Sequence, residues 1–496
     1  MSRYDVIIVG AGNAALCAAI SAKEQGSRVL VLEKGPSEKR GGNSFFTDGA
    51  IRVGYGNFDA MRNFIELDEE TTNKIDMPEY SPQDFYDDIM RVSKNQSKPE
   101  LIQQLVTQSL PTIEWMKSHG VEFELNFANQ SFEKEGRIQF WGGLPIKTVD
   151  KGIGLMRSLF NRCEELGIDV WYEAAASKIL TENNGVTGIE VKTKEGTKTI
   201  DCQNVVLACG SFEADKKKRV EALGEEWGAA LVRGTEFNTG DGIDMAALVG
   251  AQKFGQYDGC HAIGTDANAP RVGDFQKPGD IFKKHSYPYT VMVNVDGYRF
   301  VDEGADFRNY TYAKYGKEVL KQPKNMAYQV FDAKVRPIVR EEYNLDEATV
   351  FEAATLEELA LKIDIQKEQF LQTIEEYNAA VQDGEFNPSV KDGKGTTGIT
   401  LPKSNWAQTI SEGPFYAYPI TCGITFAFGG IATTPNGEVL HKNGEKIQGL
   451  FAAGEMIGGI FYENYPGGSG LMSGSVFGKL AGKSAAIHAT HAQAVK

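Results

Sequence analysis

Length, composition and charge place the chain among ordinary globular proteins. It has 496 residues, of which 41% are hydrophobic and 24% charged, and its formal net charge is −15. A chain of this length buries a large core and predicts two or three domains. The acidic balance argues against nucleic-acid binding, which needs clustered lysine and arginine, and any anionic ligand needs a local positive site.

The termini and the cysteines give further expectations about the compartment. The N-terminus runs directly into a strand pattern, without the basic and apolar regions of a signal peptide. No window approaches the roughly 20 apolar residues of a membrane span. The six cysteines are scattered, without zinc or haem spacing, and indicate reduced thiols and no metal site. We therefore expect a cytoplasmic protein without a membrane span.

The first 33 residues have the pattern of a β-α-β unit. "YDVIIV" predicts a buried parallel strand, "GAGNAA" a turn, "LCAAISAKEQG" a helix ended by glycine, and "RVLVLE" a second strand. Helical spacing follows at about 80–120 and 150–166, and short strands at about 168–208. This alternation predicts an α/β nucleotide-binding domain.

The middle of the chain differs from both ends. Aromatic and irregular sequence follows residue 258, and the helical segments "LEELALKI" and "KEQFLQTIEEYNAAVQDGE" come after it. Glycine-rich, strand-like sequence returns at about 421, and "SVFGKLAGKSAAIHATHAQ" predicts a final helix. The pattern predicts a nucleotide-binding domain interrupted by an inserted domain.

A dinucleotide fingerprint lies between the first strand and the first helix. Gly10, Gly12 and Ala15 form G-x-G-x-x-A, and Glu33 ends the second strand. Gly10 permits the tight turn, Gly12 lets a pyrophosphate approach the backbone, and Ala15 keeps the helix close to the sheet. The helix N-terminus then faces the phosphates. The Glu33 carboxylate suits ribose hydroxyls and disfavours NADP.

Three further glycine-rich segments favour FAD over NAD. They are "GGNSFFTDGA" at 41–50, "NVVLACGSF" at 204–212, and "GLFAAGEMIGGIFYENYPGGSGLMSG" at 449–474. Glu455 ends a predicted strand, where it suits a ribitol hydroxyl, and the dipole of the final helix suits a reduced flavin ring. The other predicted FAD contacts are Asn13, Ala14, Lys34, Gly41, Gly42, Asn43, Ser44, Thr47, Gly49, Ala50, Ala176, Ala208, Cys209, Gly210, Asn238, Thr239, Gly240, Asp241, Gly454, Gly468, Ser469, Gly470, Leu471 and Ser473.

Several long motifs resemble one flavoprotein family. "VGAGNAALCAA", "RGGNSFFTDGAIR", "RFVDEGADFRNYTYAKYG" and "AAGEMIGGIFYENYPGGSGL" are similar to the flavoprotein subunits of fumarate reductase and succinate dehydrogenase. Within that family, the chain resembles the soluble branch of 3-ketosteroid dehydrogenases and, most closely, tricarballylate dehydrogenases. The resemblance implies a Rossmann-like FAD-binding domain of the glutathione reductase type from residues 1–258 and 425–496. It also implies an inserted α+β capping domain at 259–424.

The resemblance implies roles for individual residues. Arg308 matches the arginine that donates or accepts the substrate proton, and Glu303, Asp302 and Asp306 are candidate relays. His261 in "GCHA" matches a histidine that contacts a substrate carboxylate. The family histidine that bonds covalently to FAD corresponds to Asn43, which predicts non-covalent FAD.

The chain departs from the fumarate reductases at two positions. Tyr465 in "NYPGG" replaces an arginine that grips a substrate carboxylate, and Thr425 or Phe426 stands where they have a histidine. A tyrosine at the position of Tyr465 is similar to 3-ketosteroid dehydrogenases, where it helps to bind a carbonyl. Additional partners considered for a polycarboxylate are Arg233, Arg271, Lys283 and Lys284.

These residues predict oxidoreduction of a carbon–carbon bond next to a carboxylate or carbonyl. A proton leaves toward Arg308 while hydride passes from the next carbon to flavin N5. Conversion of tricarballylate to cis-aconitate is the first hypothesis. An enoate reductase or a ketosteroid-type desaturase is the second, and a non-enzymatic flavin-binding protein is the third. A separate redox partner, or a free reduced flavin or nicotinamide, is expected to exchange the electrons.

Overall fold

The computed structural model describes residues 4–494, with side chains described through residue 490. The strands are β1 (Val6–Val9), β2 (Val29–Leu32), β3 (Ala50–Ile51), β4 (Ile75–Asp76), β5 (Phe123–Leu125), β6 (Ser131–Lys134), β7 (Arg137–Phe140), β8 (Ile146–Thr148), β9 (Asp169–Trp171), β10 (Ala175–Glu182), β11 (Gly185–Thr193), β12 (Gly196–Asp201), β13 (Val205–Leu207), β14 (Leu231–Val232), β15 (Lys253–Phe254), β16 (Cys260–Asp266), β17 (Val291–Asn294), β18 (Met326–Asp332), β19 (Phe351–Ala353), β20 (Phe415–Ala427), β21 (Gly430–Ile431), β22 (Glu438–Leu440) and β23 (Lys446–Ala452). The α-helices are α1 (Asn13–Glu24), α2 (Phe58–Met61), α3 (Glu69–Lys74), α4 (Pro82–Val92), α5 (Pro99–Ser118), α6 (Phe127–Gln130), α7 (Lys151–Glu165), α8 (Lys216–Leu223), α9 (Asp241–Leu248), α10 (Tyr312–Leu320), α11 (Leu356–Lys362), α12 (Lys367–Ala380) and α13 (Ser469–Ala494).

The larger sheet joins distant parts of the chain. Its strand order is β10-β11-β23-β13-β1-β2-β9, with β12 beside β11 and β22 beside β23. β1 is parallel to both neighbours, and Ile8 is paired with Val206 on one side and Val31 on the other. These strands are fully buried apolar runs, as expected for a parallel sheet covered on both faces.

The first and last helices pack closely against each other beside this sheet. An added Cβ at Gly478 would lie 2.4 Å from the Ala14 carbonyl oxygen, and one at Gly482 would lie 2.1 Å from that of Ala18. Only glycine allows this approach of two helix backbones. The contact places the N-termini of α1 and α13 at the same end of the sheet.

A second sheet belongs to the middle of the chain. Its order is β14-β20-β18-β17, and β16 and β19 also pair with β20. Pairing of β16 with β20 sets His261 opposite Phe426. Helices α11 and α12 cover this sheet with a separate apolar core that includes Leu359, Phe370 and Ile374. Because β14 precedes residue 259 and β20 runs past residue 424, this sheet extends beyond the predicted capping segment.

The fold class predicted from the sequence is confirmed: a Rossmann-like α/β domain carries a second, mixed α+β unit. The first and the last helix begin earlier in the chain than the sequence pattern predicts. α1 begins at Asn13 within the predicted turn, and α13 begins at Ser469 instead of Ser475. Both helices start inside glycine-rich sequence because backbone amides at their N-termini are left open toward the cleft. Within residues 4–494, no helix is long and apolar enough to cross a membrane.

Candidate functional site

A long cleft runs from the carboxyl ends of β1, β2 and β13 to the second sheet. We call its part along these strands and the N-termini of α1 and α13 the dinucleotide half. The part around His261, Arg308, Tyr312 and Tyr465 is the substrate half. The predicted FAD contacts that line the cleft are Gly10, Gly12, Asn13, Ala14, Glu33, Lys34, Gly42, Asn43, Ser44, Thr47, Ala50, Ala176, Ala208, Cys209, Gly210, Asn238, Asp241, Gly454, Glu455, Gly468, Gly470 and Leu471.

The other predicted contacts lie behind the cleft wall. They are Ala15, Gly41, Gly49, Thr239, Gly240, Ser469 and Ser473. Ala15 lies in the first turn of α1 and is fully buried, which lets the helix pack closely on the sheet. Gly41 and Gly49 have positive φ angles of 109° and 82° and bend the chain on each side of the lining residues. The contacts predicted from the motifs therefore include residues that support the cleft wall as well as residues that line it.

The backbone at the start of α1 fits a pyrophosphate. Gly12 is the N-cap and has no side chain to cap the helix. The Asn13 amide donates to Ser44 Oγ at 3.2 Å, and the start of the helix faces the cleft, where its dipole favours an anion. Gly10 has a φ of 104°, and a Cβ there would lie 2.4 Å from the Ala208 carbonyl oxygen. A Cβ at Gly12, in contrast, would have no neighbour nearer than 3.6 Å. The second glycine thus leaves open space where a ligand would lie.

Glu33 stands where a ribose would lie. Its Oε1 accepts a hydrogen bond from the Gly35 amide at 2.7 Å, which fixes the carboxylate at the end of β2. Burial raises its pKa, and this amide opposes the shift. The Lys34 ammonium next to it forms an ion pair with the Asp241 carboxylate at 2.7 Å, at the edge of the cleft. The donor and acceptor set of this half therefore fits an adenine dinucleotide.

Asn43 joins two acidic residues. Its Nδ2 donates to Glu213 Oε1 at 2.9 Å, to the Thr425 carbonyl at 2.9 Å and to Glu455 Oε1 at 3.3 Å. Asn238 also donates to both carboxylates, at 2.8 and 3.2 Å. Burial raises the pKa of Glu213 to about 7, and burial together with Glu213 raises that of Glu455. Both pKa shifts favour the protonated carboxyl, and ionisation of one carboxyl disfavours ionisation of the other.

Arg308 lies in the wall of the substrate half without a carboxylate partner among the described residues. Its Nη2 donates to Asn309 Oδ1 at 2.6 Å, its Nη1 lies 3.4 Å from His285 Nδ1, and its Nε is buried without a partner. Burial and the neighbouring Arg340 lower the pKa of Arg308 to about 10. Its charge is left available to a ligand.

His261 and Tyr465 line the same part of the cleft as Arg308. His261 is buried among the rings of Tyr312, Phe426 and Tyr465, and neither of its ring nitrogens has a hydrogen-bond partner among the described side chains and backbone. Burial, and then Arg233, lower its pKa. Tyr312 donates its hydroxyl to the Tyr465 hydroxyl at 2.7 Å, which leaves the Tyr465 proton free for an acceptor. This half therefore offers several unused donors.

The three predicted relays do not contact Arg308. Glu303 is fully buried and pairs with Arg299 at 2.6 Å, and it also accepts from the Met292 amide. Asp302 accepts from the Ser404 amide at 3.0 Å, and Asp306 pairs with Arg91 at 3.2 Å. Glu303 thus lies in the core of the second unit. It does not contact Arg308, so the structure does not support its predicted catalytic role. Sequence distance from Arg308 was a poor guide because the chain turns between them.

The cations considered as polycarboxylate partners divide into two groups. Arg233 and Lys283 line the cleft, but each has a counterion: Asp280 lies 2.5 Å from Arg233, and Asp48 lies 2.8 Å from Lys283. Lys284 faces Asp266, away from the cleft, and Arg271 is exposed outside it. Neither of these last two side chains lines the cleft, so their position does not support a role as polycarboxylate partners.

Sequence reasoning missed four residues of the site. His285, Tyr312 and Gln130 line the substrate half, and Glu213 lies beneath the dinucleotide half. Tyr312 lies within the motif that contains Arg308, and Glu213 directly follows the glycine-rich segment 204–212, whereas His285 and Gln130 come from segments without a ligand-binding motif. Tyr312 follows Arg308 closely enough that helical spacing could have suggested it; the others are brought in by long-range packing.

A second cavity lies beside the first, next to Arg308. Arg308 and Gln130 line both cavities and form the wall between them. The second cavity also carries Arg340 and the acidic residues Glu79, Asp84, Asp87 and Asp88. Arg308 therefore has carboxylates near its outer side, although none is within ion-pair distance in the described part of the chain.

Comparisons with known proteins agree with this geometry. The family model described as "FAD binding domain" matches residues 5–471. The chain is 28% identical over 98% of its length to the NADH:fumarate oxidoreductase of Klebsiella pneumoniae (strain 342), of which it spans 48%. It is 27% identical over 70% of its length to a 3-oxosteroid 1-dehydrogenase of Mycobacterium tuberculosis (strain ATCC 25618 / H37Rv), of which the match covers 65%.

A solved structure extends the likeness to three dimensions. The open conformation of a flavocytochrome c3 fumarate reductase aligns with a TM-score of 0.72 and 26% identity, over 98% of this chain and 78% of the other. FAD as the cofactor is confirmed by the matching family and by this likeness. The chain nevertheless spans about half the length of the first curated relative.

Proposed function

Because the chain belongs to the FAD binding domain family, we propose that it is an oxidoreductase acting on a carbon–carbon bond beside a carboxylate or carbonyl group. The observation that carries the proposal is Arg308, a guanidinium in the cleft wall that has no carboxylate partner among the described residues. A charge left uncompensated in such a site is costly unless a ligand completes it. An anionic substrate would do so.

The substrate proposed first is tricarballylate, oxidised to cis-aconitate. The substrate half offers Arg308, His261 and Tyr465 to oxygen atoms, which suits a molecule with several carboxylates better than an apolar one. Arg233 and Lys283 add positive charge at the rim, partly offset by Asp280 and Asp48. The motifs that resemble tricarballylate dehydrogenases support the same choice.

The chain's own residues supply the proton transfer. When bound, FAD supplies the group that accepts or donates hydride. Burial and Arg340 lower the pKa of Arg308 to about 10, which makes the neutral guanidine easier to form than in an exposed arginine. In that form it takes the proton from the carbon beside the carboxylate, and as a guanidinium it returns one to a double bond. We assign the acidic second cavity, instead of Glu303, as its route to solvent.

A ketone substrate is the second candidate, and one observation favours it. Tyr465 accepts from Tyr312 at 2.7 Å, so its own proton points to a separate acceptor such as a carbonyl oxygen. The name of the Mycobacterium relative, 3-oxosteroid 1-dehydrogenase, agrees with such a substrate. Against it stands the Arg308 guanidinium, which a neutral steroid would bury without a counterion.

The electron partner is proposed to be a separate protein or a free reduced flavin or nicotinamide. The names of relatives in this family include both an NADH-linked oxidoreductase and a cytochrome fumarate reductase. Anaerobic oxidation of dithionite-reduced enzyme by a cytochrome, an oxidised flavin or NAD tests the candidate acceptors, and anaerobic reduction of the oxidised enzyme by reduced flavin or NADH tests the candidate donors.

The proposal is tested by anaerobic spectroscopy of the flavin. Oxidised enzyme is mixed with tricarballylate, succinate or a 3-ketosteroid, and reduced enzyme with cis-aconitate, fumarate or the corresponding enone. We expect tricarballylate to bleach the absorbance near 450 nm and cis-aconitate to restore it. Bleaching by the steroid alone would establish the second candidate. No change with any of them would contradict both.

A further inference from the structure

His285 lies beside Arg308 in the substrate half, in the segment between β16 and β17. Its backbone amide donates to Glu342 Oε1 at 3.3 Å, and the next amide, of Ser286, donates to the Tyr343 hydroxyl at 2.9 Å. Its ring meets the edge of Tyr312 with the centroids 5.2 Å apart. The imidazole is therefore held in place from two sides while it lines the cleft.

The contact with Arg308 decides which ring nitrogen carries the proton. Arg308 Nη1 lies 3.4 Å from His285 Nδ1, and a guanidinium can only donate hydrogen bonds. A proton on Nδ1 would face the guanidinium with two donors opposed. Nδ1 is thus the acceptor, and the neutral ring carries its proton on Nε2. Nε2 is buried and has no partner in the described part of the chain.

The surroundings keep this imidazole neutral. His285 is 6% exposed, and the charged groups around it are Arg308, Lys283, Arg233 and Arg340, with Glu342 on the side of its backbone. Burial, followed by Arg308 and the other cations, lowers the pKa of His285 well below its usual value. A neutral imidazole is a hydrogen-bond donor that brings no charge into a site that already holds a guanidinium.

From this geometry we infer that His285 is a catalytic residue of the reaction proposed above. Its Nε2–H donates to the substrate oxygen that gains negative charge when the adjacent carbon loses its proton. The inference rests on the proposed function, since it needs a substrate with a carboxylate or carbonyl oxygen at that place.

The step is balanced without any further reactant. The C–H bond beside the carbonyl or carboxylate carbon breaks, its proton passes to Arg308, and the electron pair moves onto the oxygen held by His285. The pair then returns to form the carbon–carbon double bond as hydride leaves the next carbon for the bound cofactor. His285 keeps its proton throughout, so its role is to stabilise charge at the oxygen, as a donor placed before the reaction begins.

Two variants and one control test the role by turnover. His285→Ala should lower kcat about 100-fold with an unchanged ratio of FAD to protein, because a donor to the developing charge is lost. His285→Gln should retain activity within about 10-fold of wild type, since its amide carries an N–H. His441→Gln, in the loop between β22 and β23, should match wild type. Wild-type kcat in His285→Ala, with tricarballylate still oxidised, would overturn the inference and leave the proposed function standing.

A second measurement does not depend on turnover. In the 15N NMR spectrum of histidine-labelled holoenzyme, the signals missing from His285→Gln identify His285. We expect a neutral Nε2–H tautomer from pH 6 to 9 and a downfield shift of this proton on addition of tricarballylate. An Nδ1–H tautomer, or an imidazolium at pH 6, would overturn the inference. If no carboxylate is oxidised, the proposed function fails, and the tautomer still decides whether His285 presents a donor.

Discussion

The two halves of the cleft are lined by different kinds of chemical group. The dinucleotide half consists of backbone amides, glycines and alanines at strand and helix ends, with Glu33 fixed by a neighbouring amide. The substrate half consists of buried aromatic and charged side chains, several of which have atoms without partners. The first half recognises shape through its backbone, and Gly12 leaves open space in it for a ligand. The second holds unsatisfied donors, and such donors are stabilised when a substrate or transition state supplies the acceptor.

The largest effect is expected in the substrate half. Arg308→Gln should lower kcat about 1,000-fold while FAD stays bound, because the proton donor and acceptor is lost but no cofactor contact changes. In wild type, dehydrogenation should speed up with pH toward 10, since the neutral guanidine is the base. The measurement is steady-state turnover with the FAD ratio from absorbance. Arg157→Gln, an exposed position on α7, is the control. Full activity in Arg308→Gln would contradict the assignment of proton transfer to the substrate half.

A change in the dinucleotide half should act on binding and folding. Gly10→Ala adds a Cβ 2.4 Å from the Ala208 carbonyl at a φ of 104°. We expect loss of FAD and destabilisation by about 3 kcal/mol, through overpacking and backbone strain. Gly26→Ala is the matched control, because its φ of 85° is also positive but nothing lies within 4 Å. It should cost about 1 kcal/mol and keep FAD. Equal behaviour of the two variants in thermal unfolding would contradict the account.

A smaller effect is expected at Tyr465. Tyr465→Phe removes a hydroxyl that accepts from Tyr312 and is free to donate into the cleft. The expected loss in kcat/KM is about 10-fold to 100-fold, the value of one neutral hydrogen bond in a buried site. Tyr462→Phe serves as the control because Tyr462 does not line the cleft. An unchanged kcat/KM would mean that the substrate does not reach this side of the cleft.

Protonation of Glu213, beneath the dinucleotide half, should make the free energy of unfolding depend on pH. Burial raises its pKa to about 7, so the folded protein holds a proton there that the unfolded chain releases above its ordinary pKa. The free energy of unfolding should therefore fall as pH rises from about 4.5 to 7. Glu213→Gln removes this term and should be about 1 kcal/mol more stable than wild type at pH 8, with no gain at pH 5. Urea unfolding at both pH values measures it, and Glu385→Gln at an exposed site should show no such difference.

The mildest test concerns attachment of the cofactor. Asn43 directs its amide to Glu213, Glu455 and the Thr425 carbonyl, and an amide cannot form the covalent bond that a histidine would. Acid precipitation of the holoenzyme should leave all of the FAD in the supernatant. Yellow colour that stays with the pellet would contradict this prediction.

Sequence reasoning reached most of the dinucleotide half because its signals are local. Gly10, Gly12 and Glu33 lie in one β-α-β unit, where spacing along the chain determines spacing in space. It reached less of the substrate half. His285 comes from an irregular segment, and Glu303 turned out to bind Arg299 although it lies only a few residues from Arg308. Contacts of that kind depend on packing between distant segments, which periodicity does not encode.

The most direct test of the account is a crystal structure of the holoenzyme with tricarballylate. We predict the ligand in the substrate half, with an Arg308 nitrogen about 3–3.5 Å from the carbon beside a carboxylate and that carbon between Arg308 and the cofactor ring. His261 and Tyr465 should contact its oxygen atoms. A ligand bound elsewhere in the cleft, or an Arg308 side chain turned toward the second cavity with the ligand in place, would contradict the account.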